Sequence, residues 1–379
     1  MVSITLLLVA AQHASMTVAG LVVAGYTLAQ AATGPLRGRL ADRRGLVPVS
    51  AGCGIGYALA LLALLASSLG AGPAGLLIGT AAAAGLLNPP LSPGLRSLWS
   101  TYTGARLRQT AFALDAAVFD LAYIIGPVLA SGLATGIAPA AAIALLLALT
   151  GAAMMTIGAR SGRPEAPGGK RSLPGPLHST ALRELLVTAA LTNAALSATE
   201  VALTACVRHH HALWAAGPLL AEVSIGSILG SLLLGTRASP AGTDSQGRRL
   251  SRLLAGYTAG LAALTVAGLC FPLLAVAAPL AGLCLGPTLA TLFGAAASAA
   301  PRKVGTETQA WINSTMNVGA AGGAALAGLA SGRPVAALGL AAATAAAAAL
   351  AAATDPKSRK RGQGARTTVR SGKRETGPG

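Results

Sequence analysis

The chain has 379 residues, of which 53% are hydrophobic and only 10% charged, with a formal net charge of +17. So few charges cannot cover the surface of a water-soluble protein of this length, which excludes a soluble globular fold. The surplus of cations raises a nucleic-acid partner as a question, and their placement along the chain answers it.

Apolar stretches follow one another from the start. Met1–Ala11 falls short of the roughly 17 residues a crossing needs, and no basic region precedes it as in a signal peptide. It reads as an incomplete first helix. Met16–Pro35, Val47–Ser67, Ala74–Leu95, Thr110–Ala134 and Ala138–Ala159 complete a first set of six. The second set is Glu184–Val207, Leu213–Gly235, Leu253–Phe271, Leu273–Ala297, Thr306–Ala330 and Val335–Ala353. The expected fold is an all-α integral membrane protein of about 12 transmembrane helices, the first truncated, in two pseudo-symmetric six-helix bundles. A bundle over residues 1–160, a cytoplasmic linker over 161–182, a bundle over 183–354 and a disordered basic tail over 355–379 are the expected divisions.

All of the 28 Lys and Arg except Arg208 and Arg333 fall in the tail or in alternate connections, beginning with Arg37, Arg39, Arg43 and Arg44. Cytoplasmic loops retain Lys and Arg, so the topology follows, with the C-terminus inside. This placement assigns the charge to topology and anionic-lipid contact, and no nucleic-acid partner is expected. Abundant Ala and Gly, with Arg far above Lys, suggest a GC-rich bacterial genome and hence a bacterial inner membrane.

The two sets echo each other. Gly34 corresponds to Gly235, Pro89 to Pro287, and Ala111-Phe112 to Ala310-Trp311, at spacings near 200 residues. Parallel halves of this kind are a transporter architecture with the substrate route between them. The third, sixth, ninth and twelfth stretches carry no acidic residue and can face lipid. Polar residues line single faces elsewhere: Tyr26, Gln30 and Thr33; Asn193, Ser197, Glu200 and Thr204; Gln309, Asn313 and Asn317. Gln30, Asn193, Ser197, Asn313 and Asn317 are candidates for the substrate route, with interhelical hydrogen bonding as the competing reading.

After the second stretch the chain reads Gly38-Arg39-Leu40-Ala41-Asp42-Arg43-Arg44-Gly45. This closely resembles the Gly-x-Leu-Ala-Asp-Arg-x-Gly signature of the major facilitator superfamily, between its second and third helices. The resemblance implies a latch between the two halves, made by Gly38, Arg39, Asp42, Arg43 and Gly45. Asp42 would contact the start of the eleventh helix near Thr306, with Arg43 and Arg96 completing the network. Ala122-x-x-x-Gly126-Pro127-x-x-Ala130-Ser131 partly resembles a motif of the family's proton-driven exporters, with small residues replacing three glycines. Pro127 would bend the fifth helix.

Acidic residues at membrane depth are costly and mark ion pathways. Asp120 and Glu222 each lie about 14 Å along their helices, near the midplane. In the superfamily arrangement they would sit side by side, so that both could not be ionised together. Asp120 and Glu222, with Glu200 nearer the outer mouth, are the proton-coupling candidates. Asp115 and Glu307 lie near inner helix ends, where basic loops can meet them. The four cysteines are scattered singly, and His209-His210-His211 shares a loop where three neighbours cannot all turn one way. No metal site, no cofactor and no enzymatic cluster is expected. The function expected is secondary transport of a small molecule by alternating access, as proton-coupled efflux by a monomer. Solute import by the same fold and a non-transporting membrane protein are the alternatives.

Overall fold

The computed structural model describes residues 2–11, 16–70, 72–102, 107, 110–118, 120–122, 125, 139–160, 179–211, 215–235, 243–299, 304–330 and 332–353. Among these every regular element is a helix. In chain order they are α1 (Val2–Ala11), α2 (Met16–Arg44), α3 (Leu46–Leu69), α4 (Ala74–Leu87) and α5 (Leu91–Tyr102). Helical residues 110–118 and 120–122 form α6. Then come α7 (Pro139–Arg160), α8 (Thr180–His209), α9 (Ala216–Gly230), a π turn (Ser231–Gly235), α10 (Thr243–Ala267), α11 (Phe271–Gly282), α12 (Leu285–Ala299), α13 (Gly305–Leu329) and α14 (Pro334–Ala353).

Seven described segments are long and apolar enough to cross a membrane, among them Leu46–Leu69, Thr180–Val207, Phe271–Ala299 and Pro334–Ala353. In α13, Gln309, Asn313 and Asn317 dilute the apolar run. Large side chains face outward where lipid would cover them: Ile55 and Leu59 on α3, Val266 on α10 and Leu350 on α14 are exposed. Backbone polar groups have no water to bond in hydrocarbon, so helices are the form such segments must take.

Three expectations need correction. The motif does not lie in a loop, because α2 runs through Pro35 to Arg44. A helix continues past the bilayer where nothing stops it, and Gly45 is what stops this one. Its φ of 94° is left-handed, which only glycine adopts without steric cost, and its amide donates to the Ala41 carbonyl at 2.9 Å. The fourth stretch is not one helix, since α4 ends at Leu87 and α5 starts at Leu91 across Asn88-Pro89-Pro90. Two consecutive prolines remove two amide donors and break the ladder there. The tenth stretch is also divided, between α11 and α12, with Pro287 in the first turn of α12. The sequence echo between Pro89 and Pro287 therefore marks a break in each set.

The buried apolar residues form two clusters. One joins α1, α2, α3, α4 and α7 through Leu6, Val22, Leu61, Leu64, Leu77 and Ile143. The other joins α8 to α14 through Leu203, Leu254, Tyr257, Leu289 and Ile312, and it includes Phe112, Ala113 and Ala116 of α6. Helix α6 thus packs its apolar face against the second set. That places it at the junction where the site described next is built.

Candidate gating and coupling site

The two sets of helices meet along α2, α5 and α6 on one side and α9, α12 and α13 on the other, at three levels. The outermost level lies at the arginine-rich end of α2. The first turn of α13 has unsatisfied amides, as every helix start does. Val304, at the N-cap, has no side-chain oxygen to offer them. Asp42 of α2 does so from across the interface. Its Oδ1 accepts from the Thr306 amide at 3.0 Å and its Oδ2 from the Glu307 amide at 2.8 Å. These are the second and third helical positions, which a local N-cap residue would satisfy. The carboxylate also faces the positive end of the α13 dipole. Asp42 lies beyond the apolar part of α2. Burial raises its carboxyl above the usual carboxylate range, and the Glu307 and Thr306 hydrogen bonds pull it back.

Close backbone approach makes this possible. A Cβ on Gly38 would stand 2.9 Å from the Ala310 Cβ, the Glu307 Cα and the Thr306 carbonyl oxygen. Gly38 is therefore needed for proximity, while Gly45 makes the turn. Arg39 Nε stands 3.8 Å from Glu307 Oε2. Arg43 is exposed at the end of α2.

The second level is about 9 Å deeper, six residues along α13. Arg96 of α5 is buried and donates through Nε to Asp115 Oδ2 of α6 at 2.7 Å, and through Nη1 to Asn313 Oδ1 of α13 at 3.1 Å. Its guanidinium carbon lies 3.6 Å from the centre of the Phe293 ring of α12. Four helices are tied by one side chain, because only the planar guanidinium can bond along its edge and stack on its face. Arg96 thus acts a level below Asp42 rather than beside it. Arg96→Leu would leave Asp115 without its cation, at a cost of about 3–5 kcal/mol. The R96L/D115L pair should recover most of that loss, read as thermal stability in detergent. Equal losses in the single and double variants would contradict the pairing.

The third level is reached at Asp120, about 7.5 Å further along α6. Asp120 is buried, and its Oδ2 accepts from the Ser227 hydroxyl of α9 at 2.5 Å. The expected pairing with Glu222 is not what the structure places there. Residues 222 and 227 are five positions apart, which turns them about 140° from each other on a helix of 3.6 residues per turn. Glu222 shares its side of α9 with Gly226 and Gly230, where a Cβ would overlap the Pro279 and Leu283 carbonyl groups. Its Oε2 is buried without a hydrogen-bond partner among the described residues.

The remaining candidates divide between interhelical ties and half-buried positions. Asn193 donates to the Met316 carbonyl at 2.8 Å, so it ties α8 to α13. Asn313 is taken up by Arg96. Gln30 is half-buried, and its carbonyl accepts from Arg37 at 3.0 Å. Ser197 and Glu200 on α8 and Asn317 on α13 are half-buried. Ala122 is exposed on α6, whereas Gly126, Pro127 and Ala130 lie outside the described residues. Sequence reasoning missed Phe293, Ser227 and Arg37. Only Arg37 carried a signal, a cation just inside the motif.

Residues 1–324 match the sequence model of the Major Facilitator Superfamily. The chain belongs to this superfamily. No curated protein sequence matches it. Among solved structures, this superfamily member resembles a bacterial homologue of the iron transporter ferroportin in its outward-facing state (TM-score 0.72, 12% identity, 93% of this chain and 97% of that one). It also resembles the human organic anion transporter MFSD10 (TM-score 0.70, 16% identity, 89% and 84% covered). A third is the E. coli fucose:proton symporter FucP (TM-score 0.69, 12% identity, 93% and 94% covered). At such identities the likeness concerns the fold. The fold is that of a multi-pass membrane transporter, and a small-molecule substrate follows from it.

Proposed function

We propose that this chain exports a small apolar or amphipathic molecule in exchange for protons by alternating access. It works as a monomer in a bacterial inner membrane, with the arginine-rich end, the linker and the C-terminus in the cytoplasm and anionic lipids against the basic loops. In this reading the bundles over residues 1–160 and 183–354 rock about a central route. The Asp42 and Arg96 levels are the cytoplasmic gate, closed here, with Arg39, Arg43 and the two motif glycines supporting it. The route runs past Gln30, Ser197 and Asn317, and Glu200 lies nearer the outer mouth.

The observation that carries the coupling is the Asp120–Ser227 hydrogen bond. It joins the two helix sets at membrane depth, and a neutral hydroxyl is the partner found there. An ionised carboxylate at that depth is costly without a cation, so proton uptake and separation of α6 from α9 are linked. Glu222, turned away on α9, is assigned a second proton or a cationic group of the substrate. Ala122, Gly126, Pro127 and Ala130, the exporter-like motif, are assigned the bending that this separation needs.

A panel of compounds in an efflux-deficient host would find a substrate, by reduced accumulation. In reconstituted vesicles Asp120→Asn should then lose gradient-driven transport about tenfold or more while retaining exchange of labelled for unlabelled substrate. Such a loss equals about 1.4 kcal/mol of coupling. Undiminished gradient-driven transport in D120N and in E222Q would reject the coupling role. Uptake rather than extrusion in oriented vesicles would reject the direction.

A further inference from the structure

The strongest unassigned feature is Arg37, a cation on α2 that is 9% exposed and lies one residue before the motif. It is spent on carbonyls. Nη1 donates to the Gly85 carbonyl at 3.1 Å and also to that of Asn88, and Nη2 donates to the Gln30 carbonyl at 3.0 Å. Among the described residues Nε is buried without a partner. The identity of the Gly85 oxygen matters. In an uninterrupted helix it would accept from the amide four residues on, at position 89. Position 89 is proline and has no amide hydrogen. The Asn88 amide donates to the Gly85 carbonyl at 3.4 Å, a long hydrogen bond that leaves room for a second donor. The carbonyls at the end of α4 also carry the negative end of its dipole, which a cation satisfies.

We propose that Arg37 is the surrogate for the amide that Pro89 lacks, and that it thereby fixes where the half-helix α5 stands. Unsatisfied carbonyls are not tolerated in hydrocarbon, so a broken membrane helix needs a donor from a neighbour. Arg37 supplies it from α2. The same break frees α5 from α4, and α5 carries Arg96 and Ser97 to α12 and α13. Asn88, in the break itself, donates its amide group to the Tyr26 hydroxyl of α2 at 2.6 Å, which holds the corner from the other side. In the matching break of the second set, the Leu283 carbonyl stands against the backbone of Gly230. Arg37 is thus a positioning residue acting through α5. The gating consequence rests on the alternating-access reading, whereas the surrogate role does not.

The test is a mutant cycle on the full chain, read by thermal stability in detergent and by the rate of disulfide formation between S97C on α5 and G305C on α13. Neither readout depends on transport, so failure of the coupling proposal leaves both untouched. Arg37→Met should slow cross-linking about tenfold and lower the melting temperature, because the Gly85, Asn88 and Gln30 carbonyls all lose the guanidinium donor. Asn88 has ψ 120° because a proline follows it, and Pro89→Ala both restores an amide and lets Asn88 take the helical ψ that aims that amide at Gly85, so R37M/P89A should regain at least half of both losses. Arg37→Lys keeps the charge but has no planar fork, and it should be impaired between wild type and R37M. If R37M does not fold, the comparison of R37K with R37K/P89A reads the same rescue. Losses that simply add in the double variants, or an R37K chain indistinguishable from wild type, would overturn the proposal.

Discussion

A chain carrying S97C and G305C, with Cys53, Cys206, Cys270 and Cys284 replaced by serine, should lose transport almost completely on oxidation and regain it with dithiothreitol. The Ser97 Cβ lies 3.5 Å from where a Cβ on Gly305 would stand. Disulfides need Cβ atoms about 3.5–4.5 Å apart, so this pair can close without moving either helix. The bond would fasten α5 to the start of α13, and with it the first two levels of the proposed gate. Alternating access requires those helices to part on every cycle, so a covalent tie should cost more than any single side-chain loss. Each single cysteine variant should transport at near the parental rate under the same oxidant. Full transport with a quantitative disulfide would mean that α5 and α13 stay together throughout the cycle, and the gate would have to lie elsewhere.

How far the residues announced this arrangement depends on the range of the interaction. Crossing segments were legible because about 20 apolar residues in a row have few other solutions, and the arginine pattern gave their alternation. The neighbourhood of Asp42 was legible through the motif. The physical reason was not, since it lies in Val304, a poor cap 262 residues away. Broken helices were harder. Pro89 and Pro90 gave a visible signal, but length and apolarity alone made one span of Ala74–Leu95. Asp120 meets Ser227 where Glu222 was expected, for a rotational reason. Depth along a helix can be counted from sequence, whereas the facing side depends on how α9 packs on α11, which Gly226 and Gly230 set through close contacts. Asn193 and Asn313 illustrate the same limit, because a polar stripe looks alike whether it lines a route or ties two helices.

Asp42 offers the clearest separation of fold stability from gate strength. Asp42→Asn keeps the size but replaces one acceptor with an amino group, which would face an amide N–H. One of the two α13 amides then loses its partner, and the dipole loses its anion. A loss of about 1–2 kcal/mol follows, a five- to thirtyfold shift toward the parted state. Ser314 reports it, since Ser314 is buried and a Cβ on Gly34 of α2 would stand 2.8 Å from its Oγ. A cysteine at S314C should therefore react with N-ethylmaleimide at least fivefold faster in D42N than in the parent. Adding Val304→Asp gives α13 a cap of its own at the N-cap position. The D42A/V304D chain should recover the thermal stability lost in D42A while leaving S314C reactive, because the new cap satisfies the amides without holding α2. Recovery of both properties would make Asp42 a helix cap and nothing more. Recovery of neither would show that the two amides are not what Asp42 serves.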